Sequence, residues 1–413
     1  MNPADAARLD AQVEATFDDS VKFLAELVKH PTDTPPGDNA AHAEMTARLL
    51  EARGFAVERH PVPAALVKSR GLAAVTNLIV RHRFGDGPVI ALNAHGDVVP
   101  PGEGWSHPPY AAEIADGRMF GRGVAVSKSD FATYAFALEA LKKLAAGGLP
   151  LAGTVELHFT YDEEVGGELG PGWILAQGLS KPDFAIGAGF SYAVITAHNG
   201  CLHLEVTVRG ESAHAAVPET GVDALKASVD VMTALYALGE GFAARKSGVP
   251  GIGSPTINIG RIEGGINTNV VPDRVRFSLD RRMIPEEDPV AVEAQIRDTI
   301  AGALAAHPKA KVEIRRLLLA RALKPLPGLP KLVEALQEEA ARVFGARPPA
   351  QGVPLYTDAR LYGEAGVPIA LFGAGPRTIL EANAKRPDEN LVLEDLRRAT
   401  KVVAGAVARL LSP

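Results

Sequence analysis

The stretch that decides the fold reads TYDEEVGG, at residues 160–167. It follows residues 154–159 (TVELHF), whose apolar residues alternate as they do in a β-strand. In extended backbone, adjacent side chains point to opposite sides, so we expect Glu163 and Glu164 to face different partners. Carboxylates at the end of a buried strand need opposing positive charge, from a metal ion or from a basic substrate-binding wall. The alternative is a solvated acidic loop.

The composition narrows the class of protein. A chain of 413 residues is long enough for two or three domains, and its 46% hydrophobic and 22% charged residues predict a folded core. A net charge of -6 without a basic run argues against a nucleic-acid partner, and no apolar stretch predicts a membrane span. The polar, acidic start differs from a secretory or transit signal. Cys201 is the only cysteine, which argues against disulfides and thiolate clusters. These features fit a soluble cytoplasmic enzyme and, equally, a soluble binding protein.

The order of the predicted elements indicates an α/β fold with an insertion. Helices, including one over residues 10–30, alternate with apolar strands, which predicts a mostly parallel sheet with helices on both faces. Residues 88–93 are almost wholly apolar, as in a central strand. From 200 to 319 the strands alternate as in an antiparallel, half-exposed sheet, which predicts an inserted α+β domain. The two parts of the catalytic domain are then residues 1–199 and 320–413.

Two candidate site residues follow strands of the predicted parallel sheet. His95 and Glu163 each follow a strand, and sites in parallel sheets lie beyond the carboxyl ends of the strands. His95 and Asp97 would lie on one side of an extended segment. Asp97 could then accept the second imidazole N–H and strengthen His95 as a metal ligand. A purely structural histidine is the alternative.

Further candidates lie in the predicted insertion. His214 stands between small residues and could donate to a developing oxyanion, or it could simply be a turn residue. Asn269 and Arg282 flank one strand, and an amide with a guanidinium is a plausible clamp for a carboxylate. An arginine paired with a neighbouring acid is the commoner arrangement.

Together these stretches resemble the M20 family of metallopeptidases, especially its acetylornithine deacetylase and succinyl-diaminopimelate desuccinylase branch. The shared motifs are AHGD at 94–97, GRG at 121–123, DEEVGG at 162–167, SAH at 212–214, NVVPD at 269–273, DRR at 280–282 and TDAR at 357–360. The resemblance implies a zinc-dependent α/β catalytic domain and an inserted lid domain that often mediates dimerisation. It also implies hydrolysis of an amide bond beside a carboxylate.

The resemblance implies a role for each matching residue. His95 falls on a metal ligand, Asp97 on its orienting carboxylate, Glu163 on the general base and Glu164 on a ligand of the second metal. In the insertion, three residues fall on lid groups: His214 on a histidine that can enter a neighbour's site, and Asn269 and Arg282 on groups that hold the substrate. We therefore expect a homodimer formed through the inserted domain.

Three ligand positions depart from the family pattern. Val126 stands where the family has the aspartate that bridges two metals, Ala188 where it has a further acidic ligand, and Lys385 where it has a C-terminal histidine. His95 and Glu164 would then each hold a metal alone, whereas catalytic zinc normally takes three protein ligands. The sequence predicts an atypical, depleted site that holds one divalent, zinc-like ion or none.

Other residues could compensate for the lost ligands. Asp130 or His198 could rebuild a ligand set, and Lys128 or Lys385 could supply fixed positive charge and bind a small anionic substrate.

The sequence thus predicts an M20-like amidohydrolase that acts on a small N-acylated amino acid or dipeptide. The alternatives are a metal-independent acid–base enzyme, such as an isomerase or lyase of a small carboxylate, and a non-catalytic binding protein.

Overall fold

The computed structural model describes residues 1–413, which divide into two compact units. The first unit comprises Met1–Thr196, Pro325–Gln351 and Thr357–Pro413. The second comprises Ala197–Lys324 and Gly352–Tyr356. It therefore covers the range 200–319 assigned above to the insertion, with short flanks and one further segment.

Helices and strands alternate through most of the chain. The helices are α1 Pro3–Ala15, α2 Phe17–Lys29, α3 Ala40–Glu51, α4 Ala64–Ser69, α5 Lys128–Ala146, α6 Pro171–Ala176, α7 Ala224–Glu240, α8 Pro289–Leu304, α9 Leu329–Phe344, α10 Ala359–Glu364 and α11 Leu393–Leu410. The strands are β1 Val57–Pro61, β2 Thr76–Arg83, β3 Val89–His95, β4 Glu113–Ala115, β5 Arg118–Phe120, β6 Thr154–Thr160, β7 Phe184–Gly187, β8 Val194–His198, β9 Gly200–Arg209, β10 Thr256–Gly264, β11 Arg274–Met283, β12 Lys311–Ala320, β13 Ala350–Val353, β14 Ile369–Leu371 and β15 Asn390–Val392. No helix is both long enough and apolar enough to pass through a bilayer.

The first unit is built on an eight-stranded sheet of order β1-β2-β6-β3-β7-β14-β8-β13. Its central strands β6, β3, β7 and β14 run parallel, and antiparallel pairs flank them. The apolar strand β3 is buried from Ile90 to His95, as expected for a strand covered on both faces. The predicted α/β fold with a mostly parallel sheet is confirmed. A small sheet of order β15-β5-β4 completes the unit.

Two separate groups of helices contact this sheet. Helix α5 contacts β3 and β6 and packs against α1, α2 and α11, while α9 contacts β14 and α11. Helix α10 also contacts β14 but packs against α6. The first half of α5 is buried on every side, which places it in the interior of the unit.

The second unit contains a four-stranded antiparallel sheet of order β10-β11-β9-β12. Helices α7 and α8 contact each other and β9. The alternation of β9 buries Leu202, Leu204 and the following even-numbered residues in the core, as predicted. The odd-numbered residues of β9 therefore lie on the opposite face of the sheet, among them Cys201 and His203.

Two local expectations were wrong. The single helix over residues 10–30 is two helices, α1 and α2, separated at Thr16. The hydroxyl of Thr16 donates to the carbonyl of Gln12 at 3.1 Å, and such bonds compete with or bend a helix. Glu163 and Glu164 are not in extended backbone either, because residues Glu163–Val165 form a 3₁₀ turn directly after β6.

Candidate active site

The candidate site lies at the carboxyl ends of two neighbouring parallel strands. β3 ends at His95 and β6 ends at Thr160, and these two residues are partners in the sheet. Because the two strands run in the same direction, the segments that follow them leave the same edge of the sheet. This topology brings the segment from His95 to Asp97 against Glu163 and Glu164.

Asp97 joins the two segments. It is fully buried, and its carboxylate oxygens accept the backbone N–H groups of Glu163 at 3.2 Å and of Glu164 at 3.0 Å. Its Oδ1 atom also lies 3.3 Å from Nδ1 of His95. Asp97 therefore fixes the acidic turn and orients the imidazole at the same time.

His95 and Glu163 face each other in the interior. Nε2 of His95 lies 3.9 Å from Oε2 of Glu163, and both side chains are largely buried. Burial raises the pKa of Glu163 above its ordinary value, against the opposing charge of His95. Burial alone would lower the pKa of His95, but the charges of Glu163 and Asp97 outweigh it and raise that pKa. The pair is suited to hold and exchange a proton.

Glu164 faces a different partner, Lys385. Nζ of Lys385 lies 2.5 Å from Oε2 of Glu164, whose side chain is 6% exposed, whereas that of Lys385 is 53% exposed. The two adjacent glutamates thus have different partners, as expected, although a 3₁₀ turn rather than an extended strand separates them. A fixed ammonium group neutralises the carboxylate that the family resemblance assigns to a metal.

The other two substituted positions also lie beside His95. Ser127, next to Val126, accepts the backbone N–H of His95 at 2.9 Å and donates to its carbonyl at 2.9 Å. The N–H of Ala188 donates to the carbonyl of Asn93 at 2.8 Å, two residues before His95. Positions 126, 188 and 385 are therefore placed around His95 and Glu164, but valine and alanine offer no ligand atom and lysine offers an ammonium.

The side chains present do not fit a pair of zinc ions. Of the positions that the family resemblance assigns to metal ligands, only His95 and Glu164 keep donor atoms, and Glu164 is paired with Lys385. Asp130 does not restore the set, because its oxygens accept the backbone N–H groups of Ala374 at 2.7 Å and Gly189 at 3.3 Å. His198, the other residue that could rebuild a ligand set, lies in the second unit.

Lys128 is part of the core. It is fully buried, and its Nζ donates to the carbonyls of Leu27 and His30 at 3.0 Å each, at the end of α2. Burial lowers the pKa of Lys128 to about 7. These contacts favour a structural role for Lys128 over the substrate-binding role predicted for it.

The lid candidates belong to the second unit. His214 is exposed, and its Nδ1 accepts the N–H of Ala216 at 3.0 Å. Asn269 is exposed beside it, since its carbonyl accepts the N–H of Ala215 at 3.0 Å. Arg282 donates through Nε and Nη2 to the carboxylate of Asp280, at 3.0–3.2 Å. The structure thus brings His214 and Asn269 together, and pairs Arg282 with an acid.

Two buried aspartates were not foreseen as a pair. Asp162 and Asp358 are both buried, each has one carboxylate oxygen without a protein partner, and burial raises the pKa of both. The negative charges of Glu163 and Asp162 add to the effect of burial and raise the pKa of Asp358 further. Asp358 belongs to the TDAR motif at 357–360, one of the motifs that carry the family resemblance.

Comparison with known proteins identifies the family. A sequence model described as "Peptidase family M20/M25/M40" matches residues 91–409. This chain belongs to the M20 peptidase family. It is 30% identical over 402 residues to a succinyl-diaminopimelate desuccinylase of Acidiphilium cryptum (strain JF-5), a match that covers 95% of this chain and 98% of the relative. An acetylornithine deacetylase of Myxococcus xanthus is 30% identical over 390 residues, covering 93% and 96%.

Solved M20 structures share the fold. A metallo-carboxypeptidase of the M20 family, Sso-CP2 from Sulfolobus solfataricus, aligns with a TM-score of 0.77 at 17% identity and covers 95% of this chain and 99% of its own. Human carnosine dipeptidase 1 aligns with a TM-score of 0.79 at 16% identity over 100% of both chains. The predicted family resemblance is confirmed, and the protein is a hydrolase of the M20 type.

Proposed function

We propose that this M20 hydrolase cleaves the amide bond of a small, anionic N-acylated amino acid or dipeptide, with Glu163 as its general base. The observation that carries the proposal is the buried Glu163 carboxylate at the end of β6, 3.9 Å from the imidazole of His95. The names of two relatives, a desuccinylase and a deacetylase, support an N-acylated substrate.

Glu163 and His95 can each carry out one part of amide hydrolysis. Glu163 removes a proton from the attacking water and delivers it to the leaving nitrogen. His95, oriented by Asp97, presents an imidazolium N–H that stabilises the negative charge developing on the substrate carbonyl oxygen. The raised pKa of Glu163, about 7, suits it to exchange a proton near neutral pH, whereas the raised pKa of His95, about 10, keeps the imidazole protonated there.

We further propose that the metal site of the family is depleted in this chain. Lys385 and His95 place two cationic groups opposite Asp97, Glu163 and Glu164, where the family arrangement would place metal ions. The two remaining ligands are fewer than the three that catalytic zinc normally takes. Activation of water by carboxylate alone is harder than activation by a bound metal, so we expect slow turnover.

One observation favours a second candidate, a metal-independent isomerase or lyase of a small carboxylate. The ion pair of Lys385 with Glu164 lies next to Glu163 in sequence, so a base and a potential acid share one site. Such a pair can move a proton at a carbon beside a carboxylate without forming hydroxide.

The test compares parent protein with Glu163→Gln, using Glu103→Gln, an exposed glutamate, as the matched control. Substrates are N-acetyl and N-succinyl amino acids and dipeptides, with and without chelator. We expect hydrolysis that falls at least ~100-fold in Glu163→Gln and is unchanged in the control. No hydrolysis, but Glu163-dependent exchange of a substrate C–H proton with deuterium oxide, would favour the second candidate. Ligand binding that is equal in parent and Glu163→Gln, without turnover, would indicate a binding protein.

We also propose a cytoplasmic homodimer formed through the second unit. Helix α7 exposes Leu225, Val229 and Tyr236, and the edge strand β10 exposes Ile262. The three helix residues recur at i, i+4 and i+11, so they share one face of α7, which contacts β10, and exposed apolar side chains grouped in this way are typical of an interface. We expect Val229→Glu with Tyr236→Glu to convert a dimer to a monomer in light scattering, whereas Val290→Glu, at an exposed position of α8, leaves the dimer intact. A monomeric parent would contradict this proposal.

A further inference from the structure

A cysteine, a histidine and an aspartate meet on the polar face of the sheet in the second unit. Cys201 and His203 are two residues apart on β9, so both point to the same face. In the pairing of β9 with β11, Asp280 lies opposite His203 and Arg282 lies opposite Cys201. The register of two strands that are about 80 residues apart in sequence thus assembles the cluster.

We propose that Cys201, His203 and Asp280 form a binding site for a divalent metal ion of the zinc type. The ligand atoms converge: Sγ of Cys201 lies 3.1 Å from Nε2 of His203 and 3.6 Å from Oδ1 of Asp280, and Nε2 lies 3.3 Å from Oδ2. Ordinary zinc–ligand bond lengths in a tetrahedral site require separations of about 3.4–3.6 Å between ligand atoms. The cluster needs to expand by only a few tenths of an ångström to hold the ion.

The thiol of Cys201 can donate to Oδ1 of Asp280, but hydrogen bonds account less well for the close approach of Sγ to Nε2 of His203. One atom, Nε2 of His203, faces both the sulfur and the carboxylate. An uncharged imidazole nitrogen carries either one hydrogen or one lone pair, so it serves only one of these partners well. A metal ion at the centre would use the lone pair of each group at once.

The chemistry of the set points to zinc or a similar cation. Thiolate, imidazole and carboxylate are the three ligand types that zinc takes in proteins, and three protein ligands leave a fourth position open. The side chains of His203 and Asp280 are 33% and 29% exposed, so an ion can enter from solvent, while Cys201 is buried beneath them.

The guanidinium of Arg282 carries a positive charge that opposes a cation here. Its Nε and Nη2 atoms donate to Asp280. Each carboxylate oxygen has two lone pairs, so Asp280 can accept from Arg282 and still bind a metal. The thiolate and the carboxylate together carry two negative charges toward the ion, and the guanidinium fixes the orientation of the carboxylate, as supporting partners of metal ligands commonly do.

This site is separate from the one that the family resemblance implies. Its three residues lie in the second unit, whereas His95 and Glu164 lie in the first. It also does not depend on the proposed function, because metal binding here requires no catalysis by Glu163.

The test uses cobalt, because a cobalt–thiolate bond gives a charge-transfer absorbance. The full-length protein is stripped with chelator and titrated with Co²⁺, and Cys201 is the only cysteine that can produce this band. We expect the band to saturate at one equivalent, with the intense visible absorbance of tetrahedral cobalt, and to disappear when Zn²⁺ is added. Cys201→Ser should abolish it, and His203→Ala should weaken cobalt binding by more than the ~10–100-fold typical of losing a supporting partner.

His95→Ala is the matched control and should leave the cobalt band unchanged. Circular dichroism checks that each variant is folded, and His203→Gln replaces Cys201→Ser if that buried substitution prevents folding. The proposal is overturned if the folded parent shows no charge-transfer band at cobalt concentrations well above that of the protein. It is equally overturned if His203→Ala and His203→Gln bind cobalt as tightly as the parent, because the cluster is then only a hydrogen-bonded polar surface.

Discussion

Replacing Lys385 by methionine should destabilise the protein by leaving a buried carboxylate without its partner. Glu164 is 6% exposed at its side chain and its Oε2 lies 2.5 Å from Nζ of Lys385. Removing one member of a fully buried ion pair typically costs ~3–5 kcal/mol. The Lys385 side chain is 53% exposed, so water screens this pair, and we expect Lys385→Met to lower the free energy of unfolding by about 1–3 kcal/mol.

Substitution of Glu164 and substitution of Lys385 should lower the free energy of unfolding by different amounts. Glu164→Gln leaves behind a lysine that solvent can hydrate, so it should cost less than Lys385→Met, which leaves a buried charge. In the double variant, most of the cost of Lys385→Met should disappear. The difference gives a coupling energy of about 1–3 kcal/mol between the two side chains.

Urea denaturation near neutral pH measures all four proteins of this cycle. The matched control is the surface pair Lys22 and Asp19, whose closest atoms are 3.8 Å apart and whose side chains are 77% and 51% exposed. Its coupling should lie within experimental error of zero. The reasoning is refuted if the effects of Lys385→Met and Glu164→Gln add to within ~0.5 kcal/mol, because the two groups would then not interact energetically.

Two further predictions concern groups around the site. Burial lowers the pKa of Lys128 to about 7 from 10.5, so the unfolded chain keeps a proton that the folded protein releases. The parent should therefore gain stability relative to Lys128→Met as pH rises above 7, by up to ~1.4 kcal/mol per pH unit in urea denaturation, and a flat difference would contradict this. Combining Val126→Asp, Ala188→Glu and Lys385→His should restore a ligand set that retains zinc in elemental analysis; a folded triple variant without zinc would show that these positions do not surround the site.

Patterns within a segment predicted the regular elements well. Strand β3 follows from an apolar run and strand β6 from alternating apolar residues. The break at Thr16 was missed because apolar spacing continues on both sides of it, and a side-chain hydrogen bond decides the conformation. Strands of three residues, such as β4 and β15, are too short to show a period.

The candidate site could be predicted only in part. The rule that sites follow the carboxyl ends of parallel strands placed His95 and Glu163 together. The bonds from Asp97 to the acidic turn, and the cluster of Cys201 with Asp280, depend on which distant segments become neighbours. Tertiary packing determines which distant segments become neighbours, and no local pattern in the sequence predicts it. A same-face spacing of Cys201 and His203 was the only available signal.

The measurement that tests the central claim most directly is the metal content of the first unit's site. Cys201→Ser protein, in which the proposed second-unit site is disabled, is purified, equilibrated with Zn²⁺ and analysed by calorimetry and elemental analysis. Because Glu164 is paired with Lys385, and because we propose that only two of the family's metal ligands remain in this site, we predict no tightly bound zinc. Two equivalents of tightly bound zinc per chain, lost in His95→Ala, would contradict the account and restore the ordinary mechanism of the family.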